Sequence, residues 1–176
     1  MSSQTSPAPA TNATADRVAV TLPTDAPALR NDYQLPMALA LLAALEAVNV
    51  AKSKGWDVTA TVVDMSGTPI VTLRGDGATI HTKDTAFRKA YTIVTTGPIF
   101  HITATSQFVA LLSKYNALEG QALASTPYMM PLAGGVAIQA NGQIIAGLGV
   151  GGCPGAANDE ICALAAVAKI QDLLPH

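Results

Sequence analysis

From Leu35 to Ser53 apolar positions recur with helical spacing and Ala and Leu dominate, while Gly55 stands just past the end as a left-handed stop. The spacing predicts a long first helix. Asp57 to Asp64 then alternates branched and small residues, and Ser66-Gly67 turns the chain into Pro69 to Arg74. That alternation and its turn predict a two-stranded hairpin. Helical character returns from Thr82 to Thr95, with Thr82 or Thr85 as N-cap and Gly97-Pro98 as breaker. A shorter third helix is expected from about Ser106 to Tyr115, after which a loop through Ser125-Thr126-Pro127 leads back to sheet. Gly134 to Ala140 and Gln143 to Val150 flank Asn141-Gly142, the strongest hairpin signal in the chain. Asn158-Asp159-Glu160 caps and charges the start of a final helix that runs to about Leu174.

The order is helix, hairpin, helices, hairpin, helix. Hairpins separated by helices predict an antiparallel sheet with helices packed on it, an α+β domain over residues 32–176 and not a doubly wound parallel sheet. Residues 1–31 are rich in Ser, Thr, Ala and Pro without periodicity, so burial does not offset the cost of ordering them. They read as a flexible tail. A short polar tail also resembles the mature start of an exported protein, which makes a periplasmic or secreted location the expectation, with a cytoplasmic one as the alternative.

Composition narrows the core and the partners. Hydrophobic residues make up 49% of the 176, yet aromatics only 5%, so the core must be built from Ala, Val, Leu and Ile, which favours close helix and sheet packing. Flat Ala- and Gly-rich faces suit association, and a homo-oligomer is expected. A formal charge of −2 supplies no basic face for nucleic acid. The longest apolar stretch, Met37 to Ala51, is interrupted by Glu46 and Asn49 and falls short of the roughly 18 to 20 residues of a membrane span. Cys153 and Cys162 fit neither a dense disulfide scaffold nor a four-ligand zinc site. Two buried thiols, or a disulfide from a loop to the first turn of the next helix, both stay open.

With 12% charged residues and three histidines, the chain concentrates its chemistry in Arg74-Gly75-Asp76-Gly77-Ala78-Thr79-Ile80-His81-Thr82 and the following Arg88-Lys89-Ala90-Tyr91-Thr92. His81 falls between a strand end and a helix start, where loops present side chains to a pocket. An imidazole there offers a neutral nitrogen donor, either as an axial iron ligand or as a general acid/base; a loop histidine bonded to a neighbouring carbonyl is the plainer alternative. Arg74, Lys83, Arg88 and Lys89 are candidate partners for ligand carboxylates, but helical geometry sets Arg88 and Lys89 about 100° apart, so not all four point at one site. The turn through Asp76 and Gly77 lets backbone amides approach a ligand. Tyr91 is a candidate stacking or hydrogen-bonding residue, and His101 a weaker second ligand. His176 is terminal and carries no role. Gly147-Leu148-Gly149-Val150-Gly151-Gly152 lacks the spacing of a nucleotide fingerprint and reads as a strand packed closely on a neighbour, so no nucleotide cofactor is expected. There is neither a nucleophile elbow nor a histidine pair at helix spacing, which speaks against a hydrolytic metalloenzyme.

Taken in order, the Ala/Leu-rich first helix, Val62-Val63-Asp64 with Ser66-Gly67, Arg74 to Ala78, Arg88 to Thr92, Gly134-Gly135-Val136, and Gly147 to Gly152 before Asp159-Glu160-Ile161-Cys162-Ala163 resemble the GlcG/HbpS-like heme-binding domain, also found as the C-terminal part of PduO-type proteins. The resemblance spans about residues 32–174. It implies a profilin-like α/β/α sandwich around a five-stranded antiparallel sheet, assembly into homo-oligomers, and binding of heme with heme or iron handling outside the cytoplasm. On these residues the expected heme contacts are His81, Thr82, Arg74, Asp76, Gly77, Lys83, Lys89 and Tyr91, with His81 axial to the heme iron and His101 as its alternative. Ala133 and Ala137 stand where the family often reads Gly and Pro, and Gly151 where it often reads Ser. Two other functions fit the residues: a cofactor-independent enzyme acting on a small organic acid, with His81 as general base and Arg74 as carboxylate clamp, and a structural or sensor accessory oligomer.

Overall fold

A computed structural model describes residues 34–175; the tail expected over 1–31, and His176, lie outside the described residues. Helix α1 (Met37–Ser53) ends where Gly55 takes φ +76°, with Trp56 N–H donating to the Ala51 carbonyl and Gly55 N–H to that of Lys52. This is a Schellman stop, as the position of Gly55 predicts. The hairpin β1 (Thr59–Asp64) and β2 (Pro69–Arg74) turns through Gly67 at φ +79°. Asp64 Oδ1 accepts from Ser66 N–H, the Ser66 hydroxyl and Thr68 N–H at 2.8, 2.6 and 3.0 Å, which pins that turn.

Helix α2 (Thr82–Phe100) is longer than its pattern predicts and carries Pro98 inside its last turn. Its N-cap is His81, not Thr82 or Thr85, and its end is set by His101 in the left-handed region at φ 53°, not by Gly97-Pro98. Proline removes one donor yet tolerates helical φ, so a single further turn survives it. Helix α3 (Thr105–Leu112) is shorter than expected, and α4 (Ala117–Ala124) is an element the sequence pattern did not reveal. Asn116 caps α4 by accepting from Glu119 N–H at 3.0 Å, but the helix buries no residue, so no apolar stripe advertised it. Strands β3 (Gly135–Ala140) and β4 (Gln143–Gly151) join at Asn141-Gly142, both at positive φ as a tight hairpin turn requires. Helix α5 (Ala156–Gln171) has Gly155 as its N-cap, ahead of the Asn158 cap that the sequence suggests.

The four strands form one antiparallel sheet in the order β2-β1-β4-β3, a mixed α+β fold with four strands among the described residues, not five. A fifth position exists only in outline. Ala104 bridges Val136, and Ala137 N–H donates to the Thr103 carbonyl at 2.8 Å along the outer edge of β3. Only residues 102–104 separate His101 from α3, too short a run for a strand.

Helices α1 and α5 cover one face of the sheet and α2 the other. The first layer packs Ala40, Ala43, Ala44, Ala47, Ala51, Cys162, Ala163, Ala166 and Ile170 onto Ala60, Val62, Val136, Ile138, Leu148 and Val150. The second layer is closer still. Gly147, Gly149 and Gly151 alternate along β4 and face α2, where an added Cβ on Gly147 would lie 2.7 Å from the Ala90 carbonyl oxygen. The glycine-rich strand therefore lets a helix rest on sheet backbone, the close packing its sequence predicts.

Candidate functional site

The β2–α2 connection is two successive turns. Ala78 N–H donates to the Gly75 carbonyl at 3.0 Å and Thr82 N–H to that of Thr79 at 3.1 Å, while Gly75 N–H ties the first turn to Val58 at 2.8 Å. Arg74 closes over it: Nε donates to the Ala78 carbonyl at 2.8 Å and Nη2 donates to the same oxygen. Part of its donor set is thus engaged within the loop. Gly77 lies against the Asp57 side chain, whose carboxyl carbon would be 2.7 Å from an added Cβ, so a larger residue there would have to displace that carboxylate.

His81 receives the first helical bonds of α2 on its carbonyl, from Asp84 and Thr85 N–H at 3.1 Å each, and leaves its ring in solvent. Thr79 Oγ1 lies 3.2 Å from Nδ1. In the tautomer that protonates Nδ1, that hydroxyl accepts and the Nε2 lone pair is left free. Ile80, 76% exposed, is next to it in sequence. Lys83 is also exposed and pairs with Asp84 at 2.9 Å. His81, Ile80 and Lys83 thus stand exposed close together in sequence at one helix start.

Other residues of the expected ligand set turn inward. Thr82 is fully buried, donates to the Thr79 carbonyl at 2.6 Å and shares a 2.7 Å hydrogen bond with Thr59 Oγ1. Lys89 is buried against β4 and α5, where Nζ donates to Asp159 Oδ2 at 2.6 Å and to the Val150 carbonyl at 3.0 Å. It faces the protein interior, and its charge is already matched, so it is corrected from ligand contact to core ion pair. Tyr91 is half-buried, with its ring 6.0 Å from Phe87 and 5.5 Å from Tyr128, and it closes over Gly67. Arg88 donates to the Met129 carbonyl at 2.6 Å and holds the 125–133 segment on α2. His101 is exposed at the opposite end of α2 from His81. The two histidines do not share a site within one chain.

Arg74, Gly75 and Asp76 line a pocket of about 260 Å³ with Trp56, Asp57, Leu73, Lys52 and Leu45. The pocket faces α1, and His81 is not among its lining residues. Its volume is under the roughly 300 to 1,000 Å³ of drug-sized ligand sites. Lys52 and Trp56 carry no sequence signal for this pocket, since only the fold brings α1 to the end of β2. Thr79, two residues before His81, is a further partner whose spacing is its only sequence signal. Among the described residues no group of three or more His, Cys, Asp or Glu is arranged to hold a bare metal ion.

The family model described as "Haem degrading protein HbpS-like" matches residues 35–168. The chain belongs to the HbpS-like family. Among solved structures it is similar to a double mutant of HbpS from Streptomyces reticuli, at 34% identity over 88% of this chain and 99% of that one, with a TM-score of 0.72. It is also similar to PduOC in its complex with heme, at 27% identity over 77% of this chain and 94% of that one, TM-score 0.67. The Klebsiella pneumoniae protein ORFY, at 23% identity over 80% of this chain and 95% of that one and TM-score 0.66, shares the fold. Among curated proteins none matches the sequence.

Proposed function

We propose that this HbpS-like domain binds heme at the start of α2, with His81 Nε2 as the axial ligand. The observation that carries the reading is the exposed His81 ring with Nδ1 beside Thr79 Oγ1, a ligand already oriented and not occupied by the protein. Membership of a family described as heme-degrading and likeness to a heme-bound PduOC support the choice of ligand. When bound, the porphyrin supplies the redox chemistry. The His81 imidazole would hold the iron, with exposed Ile80 as an apolar contact and Lys83 as counter-charge for a propionate. Arg74 acts at one remove by fixing the Ala78 carbonyl and hence the turn before His81.

A general-base enzyme for a small organic acid has less support, because His81 does not line the pocket that Arg74 lines. The proposal extends to a homo-oligomer: Met37, Leu41 and Leu45 form an exposed apolar stripe at helical spacing on α1, a surface suited to self-association. It extends also to export, which cell fractionation tests directly. For heme itself the test is a hemin titration of the purified protein, followed by the Soret band. A saturable shift at one heme per chain supports the reading; a shift that only grows linearly with added hemin contradicts it.

A further inference from the structure

We propose that Cys153 and Cys162 form an intramolecular disulfide that staples the β4–α5 loop to the first half of α5. Their Sγ atoms lie 3.9 Å apart, with Cys162 buried and Cys153 half-buried. About 1.9 Å of further approach brings them to bonding distance.

The backbone around Cys153 is already held for that closure. Cys153 N–H donates to Asp159 Oδ1 at 2.9 Å, which anchors the loop to α5 on the same side as Cys162. Gly152 and Gly155, at φ +131° and +89°, flank the Cys153-Pro154 pair and take up residual adjustment at both ends. No other cysteine exists in the chain, so the pair has no competing partner within it. Burial, then the hydrogen bond and charge of Asp159, push the Cys153 thiol well above its ordinary value, and burial chiefly raises that of Cys162 as well. Exchange in the folded protein is therefore slow at neutral pH, and bond formation during folding is the faster route.

The bond forms by thiol–disulfide exchange with a small disulfide such as oxidised glutathione. One cysteine thiolate attacks the glutathione sulfur–sulfur bond and releases one reduced glutathione. The second cysteine then attacks the mixed disulfide and releases the other. One sulfur–sulfur bond breaks and one forms, two electrons pass to glutathione, and the two protons end on the released thiols.

The test is refolding of the full chain from denaturant in glutathione buffers, followed by alkylation, intact-mass measurement and thermal melting. In oxidised buffer the wild type is expected to lose the mass of two hydrogen atoms, to take up no alkylating reagent, and to melt on the order of 5 °C above the reduced protein. Cys153→Ser and Cys162→Ser, refolded in the same buffer, should each keep one thiol, free or joined to glutathione, and show no such rise. A natively folded wild type that keeps two alkylatable thiols, or carries glutathione on Cys153 while Cys162 stays free, overturns the proposal.

Discussion

Lys89 Nζ lies 2.6 Å from Asp159 Oδ2 with both side chains almost wholly buried, and this pair joins α2 to α5 at the end of the sheet. Gly134 makes room for it: a Cβ there would lie 2.9 Å from Nζ and 2.7 Å from the Asp159 Cβ. A lysine eight residues after His81 in sequence thus serves the core and not the ligand. Lys89→Met is expected to destabilise the fold by about 3–5 kcal/mol, because it strands a buried carboxylate. Lys89→Met with Asp159→Leu should recover a substantial part of that loss in denaturant unfolding. Equal loss in the single and double variants would show that the pair is not what holds this junction.

Gly149 is the tightest point between β4 and α2. Its added Cβ would meet the Ala86 carbonyl oxygen and come within 2.5 Å of Ala90 N. Gly149→Ala should therefore cost about 3 kcal/mol, since only movement of backbone relieves the clash. Gly120→Ala, inside α4 with 3.4 Å of space to the Leu112 carbonyl, should instead stabilise by about 0.5–1 kcal/mol. Unfolding midpoints of the two variants read the contrast directly.

Acid should weaken the β1–β2 turn. Partial burial alone would raise the Asp64 carboxyl, but hydrogen bonds from Ser66 and Thr68 outweigh it and hold it below its ordinary 3.8. A folded value below the unfolded one contributes stability above pH 3.8 and loses it as pH falls through the folded value. Asp64→Asn should melt below the wild type at pH 7, with the gap narrowing at pH 3 and below. A gap that stays constant with pH would rule out ionisation of Asp64 as its source.

His101 occupies a left-handed position that β-carbon sterics disfavour, at φ 53°. His101→Gly should keep the fold and stabilise it by about 0.5–1 kcal/mol. Thermal melting checks this; a destabilised variant would mean that the histidine side chain makes a contact worth more than the strain.

Long periodic elements were legible in the sequence because their pattern is the packing: Ala-rich α1, the Asn141-Gly142 hairpin and the glycine-rich β4 all appear where expected. Short and edge features were not. Helix α4 buries nothing and so leaves no pattern, and the fifth strand of the family resemblance is reduced to the Ala104–Val136 bridge. In the polar segment, sequence placed His81 at a strand-to-helix junction but gave no depth. Thr82 and Lys89 face inward because α2 lies almost directly on β4, a distance set by glycines about sixty residues further along the chain. Proximity in sequence to His81 was therefore a poor guide to which cations share its site.

Hemin titrated into wild type, His81→Ala and His101→Ala side by side, followed by the Soret band, shows whether His81 is the ligand. A saturable shift is expected in wild type and His101→Ala and its loss in His81→Ala, with circular dichroism unchanged among the three. A shift that survives in His81→Ala would contradict the assignment of His81 as the axial ligand.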